Sequence, residues 1–242
     1  MTAASDPDGS ARMLDLRQVS SGYGESIVIR DLTLDVRPGE IVALLGKNGM
    51  GKSTLLKTIM GYLPLMGGEI RLDQTLIAGE PPYRIARQGV AYSPQEQALF
   101  QDLTVADNLR LVLQDEADFE SRLSHVGGYF PFLLERQGQR AGTLSGGEQK
   151  MLLMARAFMI NPRLMLVDEI TEGLQPSVIQ RLSKVLREER DRLGIAILLV
   201  EQNVKFALAT ADRYAVLKRG EIIESGQVAD GAEARITHHL SV

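Results

Sequence analysis

The sequence predicts an α/β fold with a mixed sheet core, an antiparallel β subdomain and a small helical subdomain. Three observations carry this. Continuous apolar runs, "EIVALL", "RLMLVD" and "IAILLV", alternate with helical patterns, as parallel strands buried on both faces do. Other segments alternate apolar and polar residues with period two, the mark of strands with one wet face. A stretch from about 101 to 160 carries helical spacing instead.

Taken in order, residues 1–12, "MTAASDPDGSAR", have no apolar stretch and read as a disordered leader before a single domain over 13–242. "MLDLRQVS" and "DLTLDV" alternate and predict antiparallel strands. "EIVALL" predicts a buried strand, followed by a helix from about Lys52. "GEIRLD", after Gly67 and Gly68, predicts another antiparallel strand. In the helical insertion, Thr104 with Asp107 makes a capping-box-like start to "VADNLRLVL". Further helical segments run to Glu135, and another from near Gly146 through "EQKMLLMARAFM". "RLMLVD" precedes a loop and a long helix at about 175–193, and "IAILLV" precedes the helical "NVKFALATA". "YAVLKRGEIIESG" reads as an antiparallel hairpin turning at Arg219 and Gly220.

Composition narrows the function classes. The 242 residues can bury a proper core, and 44% hydrophobic with 24% charged content is ordinary for a globular chain. Net charge is 27 − 31 = −4, so no overall basic field gathers nucleic acid. With no cysteine there is no disulfide framework and no thiolate metal site, which suits a reducing cytosol. No apolar run approaches the ~20 residues that cross a bilayer.

The chemistry begins at residues 46–54, "GKNGMGKST". Gly46, Asn48, Gly49, Gly51, Lys52 and Ser53 fall within G-x-x-x-x-G-K-[ST], with Thr54 next, between a predicted strand and a predicted helix. The glycines let successive N–H groups turn inward around phosphate oxygens, and the helix N-terminus adds its positive dipole end. Lys52 is expected to neutralise the β- and γ-phosphates of ATP, and the Ser53 hydroxyl to ligate Mg²⁺. In "LMLVDE" four apolar residues deliver Asp168 and Glu169 to the end of a buried strand, where open α/β sheets bind ligands. Asp168 is suited to the metal and Glu169 to activating water as general base.

"LSGGEQ" at 144–149, between the phosphate loop and "LMLVDE", resembles the signature of ABC-type ATPases, and the likeness spans about 13–226. The resemblance implies that two ATPase subunits close face to face, the signature of one gripping nucleotide on the other. Ser145, Gly146, Gly147 and Glu148 are then nucleotide-binding; Ser145 as a plain helix cap is compatible with that role. Tyr23 matches the aromatic that stacks on adenine. Gln95, in "YSPQ", matches the glutamine that touches Mg²⁺ and water and links ATP to the membrane partner, although from sequence alone it is equally an exposed loop residue.

Departures from the family pattern are Ile170 after the catalytic glutamate, Gln175 in place of a cross-dimer aspartate, and Gln202 at the switch position normally held by histidine. Glutamine can donate to a γ-phosphate but cannot become cationic, which predicts low hydrolysis by the subunit alone. Gln202 in "VEQN" and the compact insertion resemble the second ATPase of branched-chain amino acid importers, a group with urea and short-chain amide relatives. The resemblance implies a peripheral subunit on the cytoplasmic face of a bacterial inner membrane. Its partners would be two transmembrane permease subunits, a second ATPase subunit (as a heterodimer, or a homodimer in isolation) and an extracytoplasmic solute-binding protein, with no nucleic acid. Permease docking is expected around 95–108, where Leu99 and Phe100 either face the partner or pack on the insertion. A competing reading, a soluble non-transport ABC ATPase working on DNA or ribosomes, fits less well. Lys52 and Ser145 are 145 − 52 = 93 positions apart, leaving no room for a long coiled coil, and only one cassette is present. A G protein would need an N-K-x-D guanine reader, which is missing.

Overall fold

Residues 11–95 and 99–241 are described by a computed structural model, so the expected leader lies outside them apart from Ala11 and Arg12. The chain opens with β1 (Leu14–Tyr23), β2 (Ser26–Val36), β3 (Ile41–Leu45), α1 (Lys52–Ile59) and β4 (Leu65–Leu72). The short β5 (Thr75–Leu76), α2 (Pro82–Arg87) and β6 (Val90–Ser93) follow. The helical stretch comprises α3 (Val105–Arg110), α4 (Phe119–Tyr129), α5 (Phe132–Glu135) and α6 (Gly146–Phe158). Then come β7 (Leu164–Asp168), α7 (Pro176–Leu193), β8 (Ala196–Glu201), α8 (Val204–Thr210), β9 (Arg213–Lys218), β10 (Glu221–Gln227) and α9 (Ala232–Ser241).

One sheet has the order β10-β9-β3-β8-β7-β6 and the other β2-β1-β4-β5. The first is parallel except for β10, and the second is antiparallel. Every residue of β3, β7 and β8 is buried because these strands serve two cores. Ile41, Ala43 and Leu45 enter one cluster with the helices, while Val42 and Leu44 enter another with α1 and the antiparallel sheet. The pleat alternates side chains between faces, so an unbroken apolar run is what a doubly covered strand requires.

The helical stretch forms where expected. Thr104 Oγ1 accepts from the Asp107 N–H at 3.1 Å, capping α3. Leu109, Phe119, Leu123, Phe130 and Leu133 pack with Leu152 of α6 in the helix-side core. Leu99 packs against that core, whereas Phe100 is 57% exposed; residues 96–98 of the expected docking stretch lie outside the described residues.

The hairpin turn has Arg219 at φ 51° and Gly220 at φ 85°, the double positive φ of a type I′ turn. Its first strand departs from the expectation of one wet face. β9 pairs in parallel with β3 on one side and antiparallel with β10 on the other, and residues 214–217 are buried. The apolar run "YAVL" is the signature of a central strand, and only β10 alternates. The register sets Leu45 beside Glu201 and Asp168 beside Val200, so three loops emerge together at the C-terminal edge of the parallel strands.

Candidate active site

The loop after β3 is shaped by its glycines. Gly51 has φ 105°, and a Cβ there would stand 2.7 Å from Ile29 Cδ1, so backbone conformation and space both demand glycine. No side chain caps the N-terminus of α1 behind it, which leaves first-turn N–H groups open to an anion. Lys52, 3% exposed, folds back over the loop. Its Nζ donates to the carbonyls of Gly46 at 2.8 Å and Lys47 at 2.9 Å, and pairs with Glu169 Oε1 at 2.8 Å. Gly49 and Asn48 are exposed at the crest, and Thr54 is buried below it in α1.

At the end of β7, Asp168 is buried, its Oδ2 accepting from the Tyr92 hydroxyl at 3.5 Å. Burial raises the Asp168 pKa, and a hydrogen bond from Ser53 works against that rise. Burial, followed by the nearby Asp168 charge, pushes the Tyr92 hydroxyl pKa upward as well. Asp168 Oδ1 is buried without a hydrogen-bond partner. A buried carboxylate oxygen left bare beside a serine hydroxyl is a poor arrangement for a purely structural residue and a good one for a hard cation. The oxygen donors Ser53 and Asp168 at the phosphate loop therefore fit Mg²⁺, whereas the Gln95 amide is engaged with Glu169 and Glu172. No group of three or more His, Cys, Asp or Glu residues among the described residues offers a protein-only metal cage.

Glu169 follows with φ 46°, a left-handed conformation unusual outside glycine. Its N–H still donates to Val200 O at 3.0 Å, so the strand ladder holds the residue up to the point where the chain turns. Its Oε2 accepts from Gln202 Nε2 at 3.0 Å and Gln95 Nε2 at 3.3 Å. Gln202 also donates to Asn48 Oδ1 at 2.6 Å, bridging the base to the phosphate loop. Asn48, Lys52, Gln95, Glu169 and Gln202 thus form one connected cluster, with Ser53 and Asp168 paired next to it.

The signature opens α6. Ser145 is exposed and forms a reciprocal capping box with Glu148, whose carboxyl pKa is lowered by the Ser145 backbone and side-chain hydrogen bonds. Gly146 and Gly147 begin α6. Tyr23 is 49% exposed at the end of β1 and, with Lys57, Tyr62 and Tyr92, lines a cleft of about 1220 Å³ that reaches the helical stretch.

Sequence reasoning missed several members of this edge. Glu172 accepts from Gln95 Nε2 at 2.7 Å, and Lys150 Nζ donates to the Glu169 carbonyl at 3.2 Å. Glu201 accepts from Thr171. A signal existed for the last: Glu201 closes an apolar run just as Asp168 does.

A doubly covered parallel sheet with a glycine loop, lysine and two acids at its carboxyl edge defines a phosphate-loop nucleotide-binding domain of the α/β class. The chain belongs to the ABC transporter family, whose profile matches residues 29–172. It is 42% identical over 213 residues to the high-affinity branched-chain amino acid transport ATP-binding protein BraG of Pseudomonas aeruginosa, covering 87% of this chain and 91% of that protein. It is 34% identical to the lipopolysaccharide export system ATP-binding protein LptB of Escherichia coli K12, over 88% of this chain and 90% of that one. A solved ATP-binding subunit of an ABC transporter superposes with TM-score 0.84 at 28% identity, covering 95% of this chain and all of that one. The chain is an ABC transporter ATP-binding subunit, of a family that hydrolyses ATP to power transport. No helix among the described residues is long and apolar enough to cross a membrane.

Proposed function

We propose that this subunit drives uptake of branched-chain or other small amino acids by a bacterial importer, at the cytoplasmic face of the inner membrane. In this reading it works with two permease chains, a second ATPase subunit and an extracytoplasmic binding protein. The likeness to BraG favours that cargo. The likeness to LptB shows that comparable identity extends to a relative with another cargo. Urea or a short-chain amide is the alternative substrate class, on the strength of "TEGLQPS".

The observation that carries the catalytic reading is the single cluster linking Lys52, Glu169, Gln202 and Asn48. Lys52 and the loop amides hold the triphosphate, Tyr23 stacks on adenine, and Ser53 and Asp168 would hold Mg²⁺, which supplies charge neutralisation on the phosphates when bound. Glu169, freed from Lys52 as phosphate takes the ammonium, accepts the proton of the attacking water. Gln202 donates to the phosphate being transferred. Ser145 with the Gly146 and Gly147 amides closes on the nucleotide of a partner subunit. Exposed Phe100 lies on the face expected to meet the permease. Reconstitution with permease and extracytoplasmic binding-protein chains from the same organism tests the reading. ATP hydrolysis should rise with leucine-type ligands; stimulation by urea or acetamide alone would move it to the amide branch, and no stimulation by either class would refute both.

A further inference from the structure

Glu201, the last residue of β8, is 2% exposed and has no part in the roles assigned above. Its carboxylate collects donors from two loops. Oε1 accepts from the Thr171 N–H at 3.1 Å, and Oε2 from the Thr171 hydroxyl at 2.9 Å. Oε2 also takes the N–H groups of Gln202 at 3.2 Å and Asn203 at 3.4 Å. All four donors are neutral. Burying a carboxylate on uncharged donors is expensive, whereas the preceding β8 residues are apolar and fully buried without cost of this kind. Packing alone would be served by another aliphatic side chain.

The two loops so joined carry the reacting groups. Thr171 lies two positions beyond Glu169, whose left-handed backbone at φ 46° persists only if its surroundings hold it. Gln202, directly after Glu201, meets Glu169 Oε2 at 3.0 Å. We propose that Glu201 is a positioning residue: it ties the 169–171 turn to the 202–203 turn and so sets the distance between the base and the switch glutamine. This rests on the roles given to Glu169 and Gln202 under the proposed function.

The test uses the full chain. Glu201→Gln keeps the shape but places an NH₂ among N–H and O–H donors. It should lower kcat about tenfold or more while KM for MgATP stays within about twofold, because orientation in the transition state is lost and ground-state binding is not. Thr171→Val, which removes the hydroxyl, should lose kcat several-fold by the same route, and Thr171→Ser should restore it. Amide exchange at Thr171, Gln202 and Asn203 should quicken together in Glu201→Gln while the core strands keep their protection. Wild-type kcat and unchanged exchange in Glu201→Gln would overturn the proposal. Equal loss in the two Thr171 variants would do the same, and that pair decides the matter if Glu201→Gln does not fold. The two readings fail separately. Unchanged nucleotide affinity in Lys52→Ala would sink the phosphate-loop assignment, whereas wild-type turnover by Glu201→Gln with Lys52→Ala unable to bind would sink the tie alone.

Discussion

Lys52 and Glu169 form an ion pair of 2.8 Å with side chains only 3% and 6% exposed. Such a pair is held by geometry as much as by charge, since desolvation opposes the Coulomb gain. A triphosphate reaching the loop competes with Glu169 for the ammonium. Glu169→Gln should therefore bind MgATP at least as well as wild type while kcat falls by about 10²-fold or more, as loss of a general base does. Comparison of equilibrium binding with steady-state turnover checks this; parallel loss of both would remove Glu169 from the role. Lys52→Ala should abolish binding and, by leaving a buried carboxylate unpaired, cost roughly 3–5 kcal/mol of stability. Adding Glu169→Gln to Lys52→Ala should recover most of that stability and none of the binding, a non-additivity read from denaturant melts of the four proteins.

At the scale of elements, the strands that build the site were the most legible parts of the chain. β3, β7 and β8 are unbroken apolar runs, and each ends at a residue of the site: Gly46 follows β3, and Asp168 and Glu201 close β7 and β8. β6 and α2 escaped because each is short, and α9 because its apolar face is thin between charged residues and histidines. The hairpin of β9 and β10 forms as its turn chemistry predicts, but β9 has no wet face because it also pairs with β3 inside the sheet. Contacts between distant elements were not legible at all. Glu189 on α7 is fully buried and accepts from His125 Nε2 of α4 at 2.6 Å and from Arg192 at 2.9 Å, clasping the helical stretch to the core. Burial alone would raise its pKa, but hydrogen bonds from Arg192, Tyr129 and His125 outweigh that and hold the carboxyl below its ordinary 4.5. A depressed folded-state pKa contributes stability above the unfolded value, and that stability is lost as pH falls through the folded one. Glu189→Gln should thus melt below wild type at neutral pH, and the gap should narrow below the ordinary 4.5. A gap that persists unchanged in acid would contradict the sign of the shift.

For the whole molecule, the exposed start of α6 at Ser145 and Gly146 is the governing feature. The hydrogen bonds of the Ser145 side chain and N–H stay within the capping box, and the proposed function has Ser145 meet the nucleotide of a second subunit. Ser145→Asp examines this without dismantling α6, because aspartate is as good an N-cap as serine. The Glu148 carboxylate, displaced by the new charge, already has Arg136 at 2.9 Å to receive it. The variant should fold and bind MgATP as a single subunit. In the Glu169→Gln background, where turnover no longer reopens the pair, MgATP should drive the parent chain into dimers on sedimentation. The Ser145→Asp chain should dimerise about 10²-fold more weakly, since a carboxylate facing the γ-phosphate costs several kcal/mol across an interface. Dimers of equal strength would place the second anion site elsewhere on the surface, and loss of nucleotide binding by the single subunit would mean that Ser145 serves its own loop.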